Sequence, residues 1–165
     1  MNKKSQPNIA YFLLLAGVIL WCFLIIAAPL LANHKFTYSA GFIYYFFSKT
    51  CHQLPDRSFT LWGKQFAVCA RCTGIYWGFL LGTIIFPFVR GLNHDFTPHR
   101  HLFFIALVPL TIDLSLTLFQ IWQNTFFTRF VTGLILGCIV PFFIIPGLIY
   151  LGKLKGGKKH GIKTG

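Results

Sequence analysis

The chain is poor in charge and poorer still in acid. Of its 165 residues only 11% are charged, and three Asp and Glu together stand against 15 Lys and Arg. An ordinary soluble domain carries about twice that charged fraction, so a soluble enzyme lacks the polar surface it needs, and a disordered regulator needs more charge and fewer apolar residues. The chain has five cysteines, but its long uncharged runs exclude a secreted disulfide knot with the other soluble classes. No internal repeat is visible, and low complexity is confined to a Gly- and Lys-rich end. What abounds is apolar: hydrophobic residues make up 55%, Phe alone numbers 20, and the mean hydropathy is +0.65. A particle of this size has too little interior to hide so much apolar surface from water. The composition is that of an all-α integral membrane protein. Its basic excess suggests a polyanion until the positions are read. Lys and Arg sit at the ends of apolar runs, where membrane topology explains them, so the partner is the lipid bilayer and no nucleic acid is implied.

Four runs reach the roughly 20 apolar residues that a spanning helix needs: residues 9–32, 72–89, 102–122 and 130–151. Leu30-Leu31-Ala32 is a poor small-x-small cleavage site, so the first run reads as an uncleaved anchor. Thr97-Pro98 offers a cap and first position to the third. This organisation predicts a single four-helix transmembrane domain over 1–151, followed by a basic, disordered tail over 152–165. Nine basic residues orient it with both termini cytoplasmic: Lys3, Lys4, Arg90, Arg100, Lys153, Lys155, Lys158, Lys159 and Lys163, against Arg129 alone in the short outer turn. The loop 33–71 then faces outside. Within it Phe36–Phe47 is aromatic and too short to span, which predicts an interfacial helix or a re-entrant segment.

Gly74, Gly78 and Gly82, and again Gly133 and Gly137, are spaced by four and line helix faces where backbones can approach closely, for bundle packing or for dimerisation. The oligomeric state is not legible. In the third span, Asp113, Thr117, Gln120 and Asn124 recur at offsets of four, three and four, a polar stripe that must face the bundle interior. It is either an interhelical hydrogen-bond seam or a polar path to a pocket. His94, Asp95, His99 and His101 gather on the inner loop and read as solvated. Cys22 and Cys138 lie inside spans and read as packing residues.

The richest constellation is in the outer loop. Cys51-His52 precedes Cys69-Ala70-Arg71-Cys72 by sixteen residues. Cys51, His52, Cys69 and Cys72 supply the four ligands of a tetrahedral zinc site, although adjacent ligands are sterically harder to use than an x2 spacing. A structural disulfide and a redox-active dithiol remain open alternatives. Arg57, Arg71 and Arg129 form a cationic collar, with Asn124, Gln120 and Asp113 continuing inward. Such a collar suits a small anionic ligand or a lipid headgroup, and arginines of this kind also serve as plain interface anchors.

At these residues the chain resembles the small prokaryotic membrane proteins of domain-of-unknown-function family 2085. The resemblance rests on Cys51-His52-Gln53-x-Pro55-x-Arg57-Ser58-Phe59 and Cys69-x-Arg71-Cys72-Thr73-Gly74-Ile75-Tyr76-x-Gly78. A weaker third block has Asp113 and then Arg129-x-x-Thr132-Gly133-x-x-x-Gly137, with Leu114 and Thr117 where the family commonly has Gly and Gln. The resemblance implies a multi-span protein of a bacterial or archaeal cell membrane and carries no activity. Three functional classes follow from the residues: a membrane protein with a Cys/His metal site, zinc by type; a membrane thiol-disulfide oxidoreductase working through the C-x-x-C; and a structural or interaction protein.

Overall fold

The computed structural model describes residues 6–90, 99–120 and 124–158. In chain order they form α1 (Gln6–Asn33), α2 (Thr37–Ser48), β1 (Thr60–Leu61), β2 (Lys64–Gln65), α3 (Ala70–Arg90), α4 (Arg100–Leu118), α5 (Phe126–Ile139) and α6 (Pro141–Lys158), with a single 3-10 turn at Pro55–Arg57. Four segments have the length and apolarity to cross a membrane: Ile9–Asn33, Ala70–Val89, Arg100–Leu118 and Phe126–Leu151.

The third span ends at Leu118, short of the expected boundary. Gln120 adopts a left-handed φ of 54°, and the N–H groups of Phe119 and Gln120 return to Ser115 and Thr117 in a closing turn. Trp122, like the expected cap Thr97-Pro98 and the pair His94 and Asp95, lies outside the described residues, as do Lys3, Lys4, Lys159 and Lys163; His99 stands at the N-cap position. The fourth span is two helices parted at Val140, because Pro141 has no N–H to continue the ladder. Helical backbone then runs on to Lys158, so the first part of the basic tail is helical.

The prolines inside α1 and α3 set long-range pairings. Pro29 cannot donate to the carbonyl four residues earlier, and that carbonyl, on Ile25, accepts instead from the Ala67 N–H at 3.4 Å. Pro87 likewise frees the carbonyl of Thr83, which accepts from the Tyr11 hydroxyl at 3.0 Å. One bond ties the loop to α1 and the other ties α1 to α3.

Helices α3 and α5 pack closest. A Cβ on Gly74, Gly78 or Gly82 would collide with the carbonyls of Phe130, Leu134 or Cys138, and one on Gly133 or Gly137 with those of Arg71 or Ile75. The small-residue faces therefore meet each other within one chain. Apolar cores lie at the two ends of the bundle. Tyr11, Phe86, Ile145 and Ile149 fill one. Ile25, Ile43, Phe47, Cys51, Ala67 and Val68 fill the other, and the cysteine cluster rests on that second core.

Helix α2 buries Ala40, Ile43 and Phe47 and exposes Phe42, Tyr45 and the nearly bare Tyr38 (97%). Twelve residues rise about 18 Å, too little to cross a bilayer. One face on the bundle and one aromatic face outward is the pattern of an interfacial helix. The β1–β2 hairpin turns through Trp62 and Gly63, both with positive φ, as a two-residue hairpin turn requires.

Candidate metal centre

Three cysteines from two chain segments converge where α2, the loop and α3 meet. The Cys51 N–H donates to the carbonyl of the buried Phe47 at 2.9 Å, so Cys51 follows directly from the end of α2. Gln53, with φ of 49°, turns the chain there. Its side-chain amide donates to the carbonyls of Tyr44 and Ala67, each at 2.7 Å, stapling the Cys51 segment to the strand that leads to Cys69. Cys69 sits just before α3, its carbonyl accepting from the Thr73 N–H and hydroxyl at 2.9 and 3.1 Å. Cys72 occupies the first turn of α3.

The three sulfurs lie within 4.8 Å of one another. The Cys69 N–H donates to Cys51 Sγ at 3.2 Å. Hydrogen bonds from the side chains of Cys69 and Cys72, with further ones from the backbone of Cys69 and Gln53, hold the Cys51 thiol far below the usual thiol range against the opposing effect of burial. The arrangement is a buried sulfur in a nest of donors that favour its thiolate form, with two more sulfurs beside it. Zinc bound to three such sulfurs at about 2.3 Å would set them about 3.5–4 Å apart, which falls inside the limit of 4.8 Å that the cluster meets.

His52 is not brought into this group. It is exposed, and although it lines the same cavity as the sulfurs its ring nitrogens lie outside the cluster of ligand atoms within 4.8 Å of one another. Asp56, on the 3-10 turn, is exposed as well. The polar stripe of the third span is rearranged. Asp113 is buried and its Oδ2 accepts from Arg71 Nη2 at 2.5 Å, which takes Arg71 out of the thiol neighbourhood as a free charge. Asn124 lies beyond α4, past the turn at Gln120, and does not share its helix face. It donates to the Asp113 carbonyl at 2.8 Å, where the Thr117 hydroxyl also donates at 3.0 Å.

A cavity of about 710 Å3 opens beside the sulfurs. Cys51, Cys69, Cys72, His52 and Gln120 line it, and so do all three arginines of the collar, Arg57, Arg71 and Arg129. Phe59, packed against Phe66, Phe126 and Phe130, holds the segment bearing Arg57 against α5. Arg71 Nε is buried without an acceptor. Cys22 and Cys138 stand apart, Cys22 donating to the Tyr76 carbonyl at 3.5 Å.

Reasoning from ligand types missed Gln53, Tyr44 and Thr73, which carry no metal-binding or catalytic chemistry of their own. Their only signal was position, since Gln53 and Thr73 stand inside the two blocks that carry the family resemblance.

Four apolar helices with a cysteine cluster at one end define an integral membrane protein with a candidate metal site. The chain belongs to the family described as predicted membrane protein (DUF2085), whose pattern matches residues 51–143. The match begins at Cys51 and includes the three clustered cysteines and the three arginines. An uncharacterized protein of Methanocaldococcus jannaschii is 36% identical over 141 residues, covering 82% of this chain and 90% of its own. A second uncharacterized protein, of Methanothermobacter thermautotrophicus, is 35% identical over 88 residues, 53% of this chain and 78% of its own. No solved structure matches the chain.

Proposed function

We propose that this protein is a membrane metalloprotein in which Cys51, Cys69 and Cys72 bind one thiophilic divalent ion, zinc by type, with the fourth position open to the arginine-lined cavity. The observation that carries this reading is the convergence of three sulfurs within 4.8 Å from both sides of a sixteen-residue stretch. Three protein ligands and one open position is the pattern of zinc sites that act on a bound molecule, whereas closed four-ligand sites are structural. Hydrogen bonds from N–H groups to Cys51 are the outer-shell support such ligands need. His52 drops out of the ligand set, and the cavity supplies the fourth ligand, water or substrate.

Excess basic residues at the ends support a topology with both termini cytoplasmic and the cysteine cluster at the outer face of an archaeal or bacterial cell membrane. Residues 1–151 then act as one four-helix transmembrane unit, and 152–165 as a basic cytoplasmic end.

One feature favours a second reading, a thiol-disulfide oxidoreductase. Cys72 in the first turn of α3 lies where a helix N-terminus stabilises a thiolate, and a third sulfur is within reach of the pair. Metal analysis and thiol titration of the protein purified without chelator separate the two. One equivalent of zinc with the three thiols protected until chelation supports the metal site. No metal, with two of the three thiols oxidised, overturns it in favour of redox chemistry. No metal and three free thiols overturns both readings and leaves a structural or interaction protein.

A further inference from the structure

The cavity beside the sulfurs has two unlike walls. One holds Arg57, Arg71 and Arg129, near enough for their charges to repel. The other lies on α4, a helix with the length and apolarity to span, and sets Leu114 and Leu118, 45% and 79% exposed, beside Ser115 and Thr117. Large exposed apolar side chains on such a helix face acyl chains, so the cavity runs from a cationic floor to the hydrocarbon side of the bundle.

Only one of the floor's three charges has a carboxylate partner among the described residues. Arg71 is paired with Asp113, and among the described residues this is the one ion pair. Arg57 and Arg129 have no carboxylate partner there, and Arg71 Nε, buried without an acceptor, is a donor that an oxyanion would satisfy. Arginines that merely anchor a protein at the interface stand on its rim with their heads in separate patches of lipid. These three converge on one cavity of about 710 Å3, within the size range of a single small-ligand site. Guanidinium forks match phosphate oxygens in pairs.

We infer that the cavity binds the phosphate headgroup of an anionic amphiphile, its oxyanion on Arg57 and Arg129 and its chains leaving past Leu114 and Leu118. This rests on the metal reading only in placing that headgroup beside the open coordination position. Chemistry shared with free phosphate is the oxyanion, and the hydrocarbon wall distinguishes the two sources.

The test is native mass spectrometry of the full chain in detergent, titrated with dioleoylphosphatidic acid, dioleoylphosphatidylcholine or inorganic phosphate, with metal content read on the same samples. Phosphatidic acid should bind about tenfold or more tightly than either of the others, since the choline cation opposes the arginines and inorganic phosphate has no chains to leave past Leu114 and Leu118. The double variant Arg57→Gln/Arg129→Gln should lose that preference and keep its metal, while Lys49→Gln, an exposed cation stacked on Tyr45, should change neither. Inorganic phosphate binding as tightly as the lipid, or a double variant that binds like wild type, overturns the proposal. Metal-free protein that still selects phosphatidic acid through the two arginines would sink the metal reading and keep this one. Metal-loaded protein indifferent to phosphatidic acid would do the reverse.

Discussion

Arg71 donates to Asp113 across the interface between α3 and α4, and the donor lies one residue before Cys72. Apart from this pair α4 is peripheral, with Ala106 its other buried side chain. The ion pair therefore connects the cysteine cluster to the helix that forms the far wall of the cavity. It also explains why a carboxylate can stand in a span at all, because the charge is paired and largely shielded from lipid.

Removing one partner strands the other in a nonpolar setting. Asp113→Leu should lower stability by on the order of 3 kcal/mol, as breaking buried pairs does. Asp113→Asn keeps an acceptor for Arg71 and should cost distinctly less. Thermal unfolding of both variants in the same detergent checks the order. Equal stability of the two with wild type would mean that the pair holds nothing in place.

The α3–α5 seam makes a second prediction. A methyl at Gly78 meets the Leu134 carbonyl, which is backbone and cannot swing aside. Gly78→Ala should therefore cost about 1–3 kcal/mol through forced separation of the helices. Gly17→Ala in α1, where nothing lies within 4 Å, should be neutral or slightly stabilising. Detergent melting curves decide it, and similar losses at both sites would refute the packing account.

Much of this was legible in residue order, for a physical reason. Spans depend on local apolarity alone, so runs of Phe, Leu and Ile reveal four of them with no tertiary knowledge. The spacing of Cys51, Cys69 and Cys72 likewise marks a cluster because few arrangements use thiols so close to a helix start. Features set by backbone geometry stayed hidden. The third span ends where Gln120 turns left-handed, although apolar residues continue to Phe119 and beyond. Asn124 keeps the helical spacing yet reaches Asp113 from a separate segment. The hairpin turn uses Trp62-Gly63 without the Asn or Asp that usually signals one. His52 fits a ligand set by type, but it is exposed and stays outside the group of three close sulfurs.

Gln53 is expected to matter as a positioning residue. Gln53→Ala leaves the carbonyls of Tyr44 and Ala67 without their shared donor and frees the segment bearing Cys51. The staple positions Cys51 without touching its sulfur, so its loss should cost on the order of tenfold in metal affinity, the low end of what lost outer-shell partners cost. Competition with a chromogenic chelator measures it. Wild-type affinity in Gln53→Ala would show that the staple does not organise the sulfurs.

Topology is tested apart from the metal. Lys64 is exposed on the hairpin of the loop that carries the cysteine cluster. A cysteine at Lys64, with the native five replaced by Ser, should react with an impermeant maleimide in intact cells, and one at Lys163 only after lysis. The reverse pattern would put the cluster in the reducing cytosol and reverse the orientation.

The sharpest separation lies between neighbours. Cys51 is buried, accepts the Cys69 N–H, and has two sulfurs within 4.8 Å, whereas His52 is exposed and outside that group. Cys51→Ser should reduce bound zinc to a small fraction of wild type, since a hydroxyl is a far poorer ligand for zinc than a thiolate. His52→Ala should retain zinc within about twofold, because no first-coordination bond is lost. The two positions are adjacent but Cys51 belongs to a buried core and His52 does not, so a chelator-treated Cys51→Ser protein that melts like chelator-treated wild type separates a lost ligand from lost packing. Metal content per protein after gel filtration, checked by melting temperature with and without chelator, reads the difference. Zinc lost equally in both would restore His52 as the fourth ligand and close the coordination position that the cavity is proposed to use.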